Sequence, residues 1–574
     1  MSNIVEEMRA GLREALEKAV AAAVAAEQLP PVDMPDFVVE VPREREHGDF
    51  AANLAMLLPK QARLAPRKIA EILLENLPAQ PRRNKDLCRE TGAMRWVERV
   101  QVAGPGFVNF HLDSRWVLDA VPLAARQQRD YGRARLVEDE RVQVEFVSAN
   151  PTGLLHMGNA RGAALGDSIA AILDFAGWRV TREYYINDAG NQVENFALSL
   201  EARYFQLLGR EGRIPEGGYH GEDIADTARR YIAGHGDGLL HAERRTRLDT
   251  LARYALAEKI EGIREALAEF GVEYDVWFSE QSLHDSGQVD EAVSRLRERG
   301  YVYEHEGALW FKASAFGTEK DEVVVRKNGI STYFAADIAY HMDKFQRGFH
   351  RVINIWGADH HGPGPRMKGV MEALGHDPEA LHIVLMQLVR LFRGGEIVRM
   401  SKRTGRFVTL EELVEEVGRD AARYFFVMRG ADSHLDFDLD LARTQSNDNP
   451  VYYVQYAHAR ICSIFRQLAE QGRPKPDPGQ VNLELLKEEA ELVLARRLAD
   501  FPEEVAMAAR QLAPHRIARY VHEVAGLLHS FYNAYRVITD DRELSNARLL
   551  LVEATRVVLR NALGLLGVQA PEKM

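Results

Sequence analysis

The order of apolar and polar residues indicates an α/β middle section with helical segments on either side. In VQVEFVS (142–148) the two kinds of residue alternate, which predicts a half-buried strand. The stretch 158–176 is rich in helix-forming residues and is followed by Gly177, so a helix is predicted there. WRVTREYYIND and RVINIWGADHHG repeat the strand pattern further along the chain. Alternating strands and helices predict βαβ units around a parallel sheet.

Changes in this pattern divide the chain into segments. Helices are predicted at 3–27 and 66–77, and the strand-like VERVQVAGPGFVNFHL follows them. The predicted units are an N-terminal domain (1–112), an exposed helical connection (113–136), an α/β domain (137–445) with a mostly helical insertion at about 195–300, and a helical domain (446–574).

Composition narrows the class of protein. The chain has 574 residues, enough for several domains, and a net charge of −12, which argues against a protein that coats nucleic acid through bulk charge. Its two cysteines lie far apart, which excludes a disulfide framework and a cysteine-rich zinc site and fits a reducing compartment. The N-terminus lacks the apolar core of a signal peptide, and no apolar run is long enough to span a membrane. We therefore expect a cytoplasmic protein without a membrane segment.

The stretch ANPTGLLHMGN (149–159) lies between the predicted strand and helix. Gly158 would let a ligand approach the backbone, and His156 and Asn159 would share one face of the helix. Backbone N–H groups and the helix dipole favour a phosphate at such a position. The alternative is that both side chains only cap an ordinary helix.

Two further motifs could belong to a nucleotide site. Met400, Ser401 and Lys402 lie in a glycine-flanked loop, from which a mobile lysine could reach a transferring phosphate. The alternative is a solvated basic turn.

Gly357, Asp359 and His360 follow a strand, where ligands of open α/β sheets bind. For the motif with Gly357, Asp359 and His360, three interpretations remain open: a nucleotide-contacting loop, a structural turn and a metal site. Its residues alone make a poor metal site.

A fourth motif, ISTYFAADIAYHMDKF, could bind a cation. In a helix, Tyr333 and Asp337 lie four residues apart on one face. Together with Glu145 on the first strand they would form an acidic, hydrogen-bonding pocket. The alternative is that Asp337 is an ordinary surface carboxylate.

Taken together and in this order, the motifs resemble those of class I aminoacyl-tRNA synthetases. The closer resemblance, over essentially the whole chain, is to the bacterial type of the arginyl-tRNA synthetase family. It is carried by EFVSANPTGLLHMGNARGAALGD, REYYINDAGNQ, MSKRTGRFVTLEELVEEVGRDAARYFF, DNPVYYVQYAHARICSI, and the N-terminal HGDFAANLAM and AGPGFVNF. There are two departures: Asn159 replaces the final histidine of the first signature, and Arg399 replaces the first lysine of the second.

This resemblance implies a fold and an activity. The fold would be a Rossmann-like catalytic core with an α+β N-terminal domain that contacts tRNA and an all-α C-terminal anticodon-binding bundle. The enzyme would activate L-arginine with ATP, accompanied by Mg²⁺, and transfer arginine to the 3′ end of tRNA(Arg). It would be a monomer without a structural metal.

The resemblance also implies site residues. The catalytic residues would be His156, Asn159 and Lys402. ATP would contact these and Pro151, Thr152, Gly153, Gly158, Gly357, Asp359, His360, Met400 and Ser401. Arginine would contact Glu145, Ser148, Asn150, Tyr333 and Asp337, with the guanidinium on the last two. The tRNA would contact Tyr452, Tyr453, Gln455, Tyr456 and Arg460, although helical spacing leaves open that some of these aromatics are core residues.

Two other functions remain open from the sequence. A nucleotidyltransferase that adenylates a small molecule would share the first motif, but the helical C-terminal segment with its aromatic run argues against it. An RNA-binding paralogue without catalytic activity is suggested by Asn159 alone, whereas His156, Asp337 and Lys402 argue for an enzyme.

Overall fold

The computed structural model describes residues 3–42, 44–77, 93–358, 363–398 and 408–574. At the N-terminus a four-stranded antiparallel sheet, in the order β1-β2-β4-β3, is accompanied by helices, and α1 packs on α4. The helices predicted at 3–27 and 66–77 are present. The elements are α1 (Ile4–Ala25), β1 (Val39–Glu40), β2 (Phe50–Ala52), α2 (Leu54–Leu57), α3 (Pro59–Ala62), α4 (Pro66–Asn76), β3 (Val97–Ala103) and β4 (Phe107–Leu112).

The connection between the N-terminal and α/β segments is helical but not exposed. It contains α5 (Ala120–Gln127), and Val117, Val121 and Ala124 are fully buried. The hydroxyl of Tyr131 donates to the Leu498 carbonyl at 2.8 Å. The expectation of an exposed connection was wrong because its apolar face packs on helices of the C-terminal segment, which local sequence does not reveal.

The α/β segment is built on a five-stranded parallel sheet, in the order β12-β11-β5-β6-β7. Two smaller three-stranded sheets have the orders β10-β9-β8 and β14-β13-β15. The elements are β5 (Arg141–Glu145), α6 (Met157–Phe175), β6 (Arg179–Ile186), α7 (Asn191–Leu207), α8 (Glu222–His235), α9 (Arg244–Glu269), β7 (Val276–Ser279), α10 (Glu280–Asp285), α11 (Gln288–Glu298), β8 (Val302–His305), β9 (Ala308–Phe311), β10 (Glu322–Val325), α12 (Tyr333–Gln346), β11 (Arg351–Gly357), α13 (Pro363–Ala373), β12 (Leu381–Met386), β13 (Val389–Arg393), β14 (Glu396–Ile397), α14 (Leu410–Val417), α15 (Arg419–Val427), β15 (Leu435–Asp438) and α16 (Leu439–Arg443).

The order of the parallel strands locates the ligand-binding edge. The chain runs outward from β5 through β6 to β7, and later continues on the other side of β5 with β11 and β12. The direction therefore reverses between β5 and β11. In open α/β sheets, ligands bind at the carboxyl ends of the two strands that flank such a switch point.

Two expectations about this sheet need correction. The strand at 142–148 was expected to be half-buried, but Gln143 and Glu145 are buried as well, because β5 is the middle strand and both faces of the sheet are covered. The insertion at about 195–300 contains the predicted helices α7, α8 and α9. However, β7 lies in the same range and is an edge strand of the main sheet.

The C-terminal segment is helical, as predicted. Its long helices are α17 (Pro450–Glu470), α18 (Glu489–Ala499), α19 (Phe501–Gln511), α20 (Pro514–Ala534) and α21 (Arg542–Leu565). None of the helices in the described part of the chain is long and apolar enough to cross a membrane.

Candidate active site

The chain leaves β5 through a strained turn. Val147 and Ser148 have positive φ angles of 68° and 40°, a conformation that is uncommon for any residue with a side chain and rare for a β-branched one. Ser148 stabilises the turn because its hydroxyl donates to Glu145 Oε1 at 2.9 Å and accepts from the Tyr185 backbone N–H at 3.2 Å. Strain of this kind persists where the surrounding structure holds it, and it is concentrated at functional sites.

The first motif forms the N-terminal cap of α6. The Gly158 N–H donates to His156 Nδ1 at 3.1 Å, and the His156 N–H donates to Asn159 Oδ1 at 3.0 Å. A Cβ at Gly158 would lie 3.0 Å from His156 Cε1, so this glycine also makes room for the imidazole ring. The capping alternative therefore describes the geometry that is present. A capped helix start still points its N–H groups and positive dipole end toward the switch point.

The residues after the second signature are joined to this cap. Thr409 pairs with His156 in an antiparallel bridge, and the Leu410 N–H donates to the Leu155 carbonyl at 3.0 Å. Thr409 in turn caps α14 in a reciprocal capping box with Glu412. Met400, Ser401 and Lys402 lie outside the described residues, but Thr409 and Leu410, a few positions further along the chain, lie beside the first motif.

The other described candidates for the nucleotide lie at the same edge of the sheet. Pro151 is buried, Thr152 is half-buried and its N–H donates to the Asn150 carbonyl at 2.8 Å, and Gly153 has open space where a side chain would stand. Gly357 ends β11 on the other side of the switch point. Asp359 and His360 lie outside the described residues.

The first turns of α12 carry the candidates for a cationic ligand. Thr332 caps the helix, and Tyr333, which is 49% exposed, lies beside Gly190. Asp337 is exposed to solvent. The protein that surrounds it, together with the carboxylates of Glu280 and Glu145, raises the pKa of Asp337 to about 7.

Glu280 belongs to this site and was not singled out from the sequence. It lies directly after β7, at the carboxyl end of a strand, and with Tyr333 it lines a cavity of about 210 Å³. Burial raises the pKa of its carboxyl group. A signal was present, because Glu280 follows VWFS, but that strand was taken as part of a helical insertion.

Glu145 and Asn150 already have protein partners. One oxygen of Glu145 accepts from Ser148, and the other pairs with the ammonium of Lys344 at 2.6 Å. Both carboxylate oxygens of Glu145 therefore already have a partner within the protein. Asn150 donates to Gln192 at 2.7 Å and accepts from Asn187 at 2.8 Å. Lys344 was also missed, although a lysine on the face of α12 that carries Asp337 was a detectable signal.

The aromatic candidates in the C-terminal domain divide into two groups. The rings of Tyr452 and Tyr456 are nearly parallel, with centroids 6.2 Å apart, and the Arg460 guanidinium lies 4.8 Å from the Tyr456 ring. All three side chains are half-exposed. Tyr453 instead packs against His522 and His529, and Gln455 donates to Asp420 and to the Gln569 carbonyl. Tyr453 and Gln455 are also half-exposed, but their side chains have these partners within the protein.

The described residues contain no group of three or more His, Cys, Asp or Glu side chains arranged to hold a metal ion. Asp359, His360 and His361 lie outside the described ranges. For the motif with Gly357, Asp359 and His360, a nucleotide-contacting loop, a structural turn and a metal site therefore all remain open.

Comparisons with known proteins cover all three regions of the chain. The model described as "Arginyl tRNA synthetase N terminal domain" matches residues 6–112. The model "tRNA synthetases class I (R), catalytic domain" matches 121–213 and 221–432, and the model "DALR anticodon binding domain" matches 454–574.

Individual proteins give the same result. A curated relative from Desulforamulus reducens, named Arginine--tRNA ligase, is 65% identical over 574 residues and covers 100% of both chains. A relative of the same name from Desulforudis audaxviator is 62% identical, again with 100% of both chains covered. The solved structure of Thermus thermophilus arginyl-tRNA synthetase superposes with a TM-score of 0.71 at 26% identity and covers 98% of this chain and 100% of that chain.

Proposed function

This chain belongs to the arginyl-tRNA synthetase family and is an arginine–tRNA ligase, and on that basis we propose how its residues divide the work of charging tRNA(Arg). The activity has two steps. Arginine's carboxylate attacks the α-phosphate of ATP, which gives arginyl-adenylate and pyrophosphate. The terminal adenosine of the tRNA then accepts the arginyl group and releases AMP.

In the first step, ATP would bind at the switch point between β5 and β11. The observation that supports this most directly is the pairing of His156 with Thr409, since it joins the N-terminus of α6 to the chain that follows Lys402. The cap uses His156 Nδ1, so the phosphate contact would come from Nε2. Lys402 would stabilise the charge that moves onto pyrophosphate, and Mg²⁺ would arrive as part of the ATP substrate.

The adenosine would lie along the same edge of the sheet. Pro151, Thr152, Gly153 and Gly158 would border it on the β5 side, and Asn159 would hold His156 in place. Gly357, Asp359 and His360, at the end of β11, would contact its other side. Met400 and Ser401, next to Lys402 in sequence, would also contact ATP.

Arginine would bind beside α12. A guanidinium is planar, permanently charged and rich in donors, so its site requires carboxylate and hydroxyl acceptors. Asp337 and the Tyr333 hydroxyl would take it, with Glu280 as a further carboxylate. The neutralised pair of Glu145 and Lys344 makes Glu145 a fixed acceptor at the other end of the pocket, where Ser148 and Asn150 would border the α-amino group.

The helical domain would bind the anticodon. Unpaired bases stack on aromatic rings and on guanidinium planes, and Tyr452, Tyr456 and Arg460 offer both on one half-exposed face. Tyr453 and Gln455 would act by supporting α17 rather than by touching the tRNA. The N-terminal domain would contact the tRNA separately.

We also propose that the enzyme works as a cytoplasmic monomer. The cytoplasm holds its substrates ATP and tRNA, and the family resemblance suggests a monomer. Light scattering coupled to size-exclusion chromatography would measure the oligomeric state, and a mass near twice 64.8 kDa would contradict this proposal.

The experiment that tests the activity is arginine-dependent exchange of pyrophosphate into ATP, with and without tRNA, on the wild type and Lys402→Ala. Exchange with arginine alone among the twenty amino acids, lost in the variant, is the expected result. Exchange that requires tRNA would mean that tRNA completes the site. Bound tRNA without any exchange would contradict the proposal and would make Asn159 the mark of an inactive site.

A further inference from the structure

Three neighbouring strands present polar side chains in one row at the centre of the sheet. Asn354 on β11, Glu145 on β5 and Glu183 on β6 are register partners, so their side chains lie next to each other on one face. All three are almost completely buried. Buried carboxylates are costly unless they are paired and hydrogen-bonded, so the element that covers this row must supply cations and donors.

The covering element is α12, and it meets every member of the row. Lys344, which is 0% exposed, donates to Glu145 at 2.6 Å and to Asn354 at 2.9 Å. Arg347 donates to both oxygens of Glu183 at 2.6 and 2.8 Å, and Tyr340 donates to the same carboxylate at 2.7 Å. Two carboxylates of the row thus face two cations, and Arg347 also pairs with Asp343 at 2.7 Å.

The row continues by hydrogen bonds to Asp337. Asn354 donates through Nδ2 to His341 Nε2 at 2.7 Å, and His341 Nδ1 lies 2.8 Å from the Asp337 carbonyl. A carbonyl oxygen only accepts, so Nδ1 carries the proton and His341 is neutral. This agrees with its burial and the nearby Lys344, which lower the pKa of His341 to about 3.

We propose that Lys344 is a positioning residue for arginine: its ammonium balances Glu145 and, through Asn354 and His341, fixes the turn of α12 that carries Asp337. Lys344 thereby sets the place and the charge of the carboxylate that meets the guanidinium. This inference rests on the proposed function, since it takes Asp337 as the guanidinium ligand. Lys344 itself is fully buried and acts through these partners.

Glu145 and Lys344 have opposite effects on the pKa of Asp337. Glu145 raises the pKa of Asp337 and Lys344 lowers it. The titratable and charged groups around Asp337 are Glu280 on α10, Glu145 on β5, Tyr185 on β6, and His341 and Lys344 on α12. His284 on α10 and Arg326 in the loop before α12 line the neighbouring cavity with Tyr333. Removing Lys344 alone leaves an uncompensated carboxylate near Asp337, and removing the Glu145 charge alone leaves an uncompensated ammonium.

The test measures arginine binding by titration calorimetry from pH 5.5 to 8.5. In Lys344→Met the pH midpoint of binding should rise by about one unit, and in Glu145→Gln it should fall by a similar amount. The double variant Glu145→Gln/Lys344→Met should return near the wild-type midpoint while binding arginine about tenfold more weakly, and Lys344→Arg should stay close to wild type. Lys368→Met, which removes a surface partner of Glu379, is the matched control and should change nothing.

Shifts of opposite sign, cancelled in the double variant, are not expected from a residue that only stabilises the fold. If Lys344→Met does not fold, Glu145→Gln and the double variant still carry the test, because the double variant contains neither buried charge. If Asp337→Asn abolishes the midpoint but Lys344→Met and Glu145→Gln keep it at the wild-type pH, the inference is overturned. If the wild type binds arginine without a midpoint that Asp337→Asn removes, the proposed role of Asp337 fails instead.

Discussion

His156 and Thr409 form an antiparallel bridge, although they come from two signatures in distant parts of the sequence. The bridge is extended by the hydrogen bond from Leu410 to the Leu155 carbonyl. Each residue also caps the N-terminus of a helix: His156 caps α6, and Thr409 caps α14. The two helix starts and the chain that follows Lys402 are thus fixed relative to each other at the switch point of the sheet.

This geometry separates two roles of His156. His156→Asn keeps a good capping side chain but removes the imidazole, so the thermal midpoint should stay within about 2 °C while kcat for pyrophosphate exchange falls about 100- to 1000-fold. His156→Ala removes both the cap and the imidazole, so it should lower both the thermal midpoint and kcat. If His156→Asn retained wild-type kcat, the histidine would be a cap and nothing more.

The affinity for arginine should depend on pH through Asp337. Its pKa is raised to about 7, and a guanidinium pairs only with the ionised form, so binding is complete above pH 7 and is lost as the pH falls below it. Well below the midpoint, KM for arginine should rise about tenfold per pH unit. Steady-state pyrophosphate-exchange assays on both sides of pH 7 would measure this change in KM. Asp337→Asn should raise KM at pH 8 and remove the pH dependence, and a pH-independent wild type would contradict the assignment.

Arg423 should be a major source of stability. It is fully buried, and its guanidinium donates to the carbonyls of Leu566, Phe270 and Gly271 and pairs with Asp167, so it joins three parts of the chain. Arg423→Met leaves these acceptors unsatisfied and should cost about 3–5 kcal/mol.

In thermal scans of Arg423→Met, the midpoint temperature of the first unfolding transition should fall by about 6 °C or more. Gly567→Ala provides a second variant, because Gly567 has a φ of 66° and a Cβ there would lie 2.1 Å from the Arg423 guanidinium. Arg419→Met is the control, since Arg419 is partly exposed and 3.5 Å from Asp420. Equal midpoints for Arg419→Met and Arg423→Met would refute the prediction.

The N-terminal and C-terminal domains are joined by Asp49 and Arg496. Asp49 accepts from Arg496 at 2.5 Å and from the Leu112 N–H at 2.8 Å. Asp49→Asn should loosen this contact and raise KM for tRNA several-fold, corresponding to about 1 kcal/mol, with KM for ATP unchanged. A double-mutant cycle with Arg496→Gln should show coupling. Additive effects would mean that the pair does not set the arrangement of the two domains.

The stacked pair of tyrosines should contribute to tRNA affinity. Tyr452→Ala and Tyr456→Ala each remove a stacking surface, which is worth about 1–3 kcal/mol, so KM for tRNA should rise about 5- to 100-fold with kcat for pyrophosphate exchange kept at saturating tRNA. Tyr453→Phe is the control, because Tyr453 packs against His522 and this variant keeps the aromatic ring. Tyrosine variants that charge tRNA normally would place the anticodon on another face.

Much of the architecture follows from local sequence. The helices at 3–27, 66–77 and 158–176, and the strands in WRVTREYYIND and RVINIWG, are present because their apolar periods match the faces that they bury. The motif with His156 was also recognisable, since a strand followed by Gly, Asn and a helix start has a characteristic local pattern. The family resemblance identified candidate residues but did not show their partners.

Long-range pairing could not be obtained in this way. Alternation in VQVEFVS predicted one exposed face, whereas the position of β5 between β11 and β6 buries both. The connection at 113–136 was predicted to be exposed, but helices of the C-terminal segment cover its apolar face. Local sequence shows which residues are apolar but not which element will cover them.

By itself, the sequence determined the class of fold, several helices and three strands of the main sheet, and the motifs that lie at strand ends and helix starts. These depend on interactions between residues a few positions apart. Only the tertiary structure decided that Glu145 is neutralised by Lys344, that Glu280 joins Tyr333 in one cavity, and that His156 pairs with Thr409. Charge balance and cavity shape depend on residues far apart in the chain, and folding alone brings those residues together.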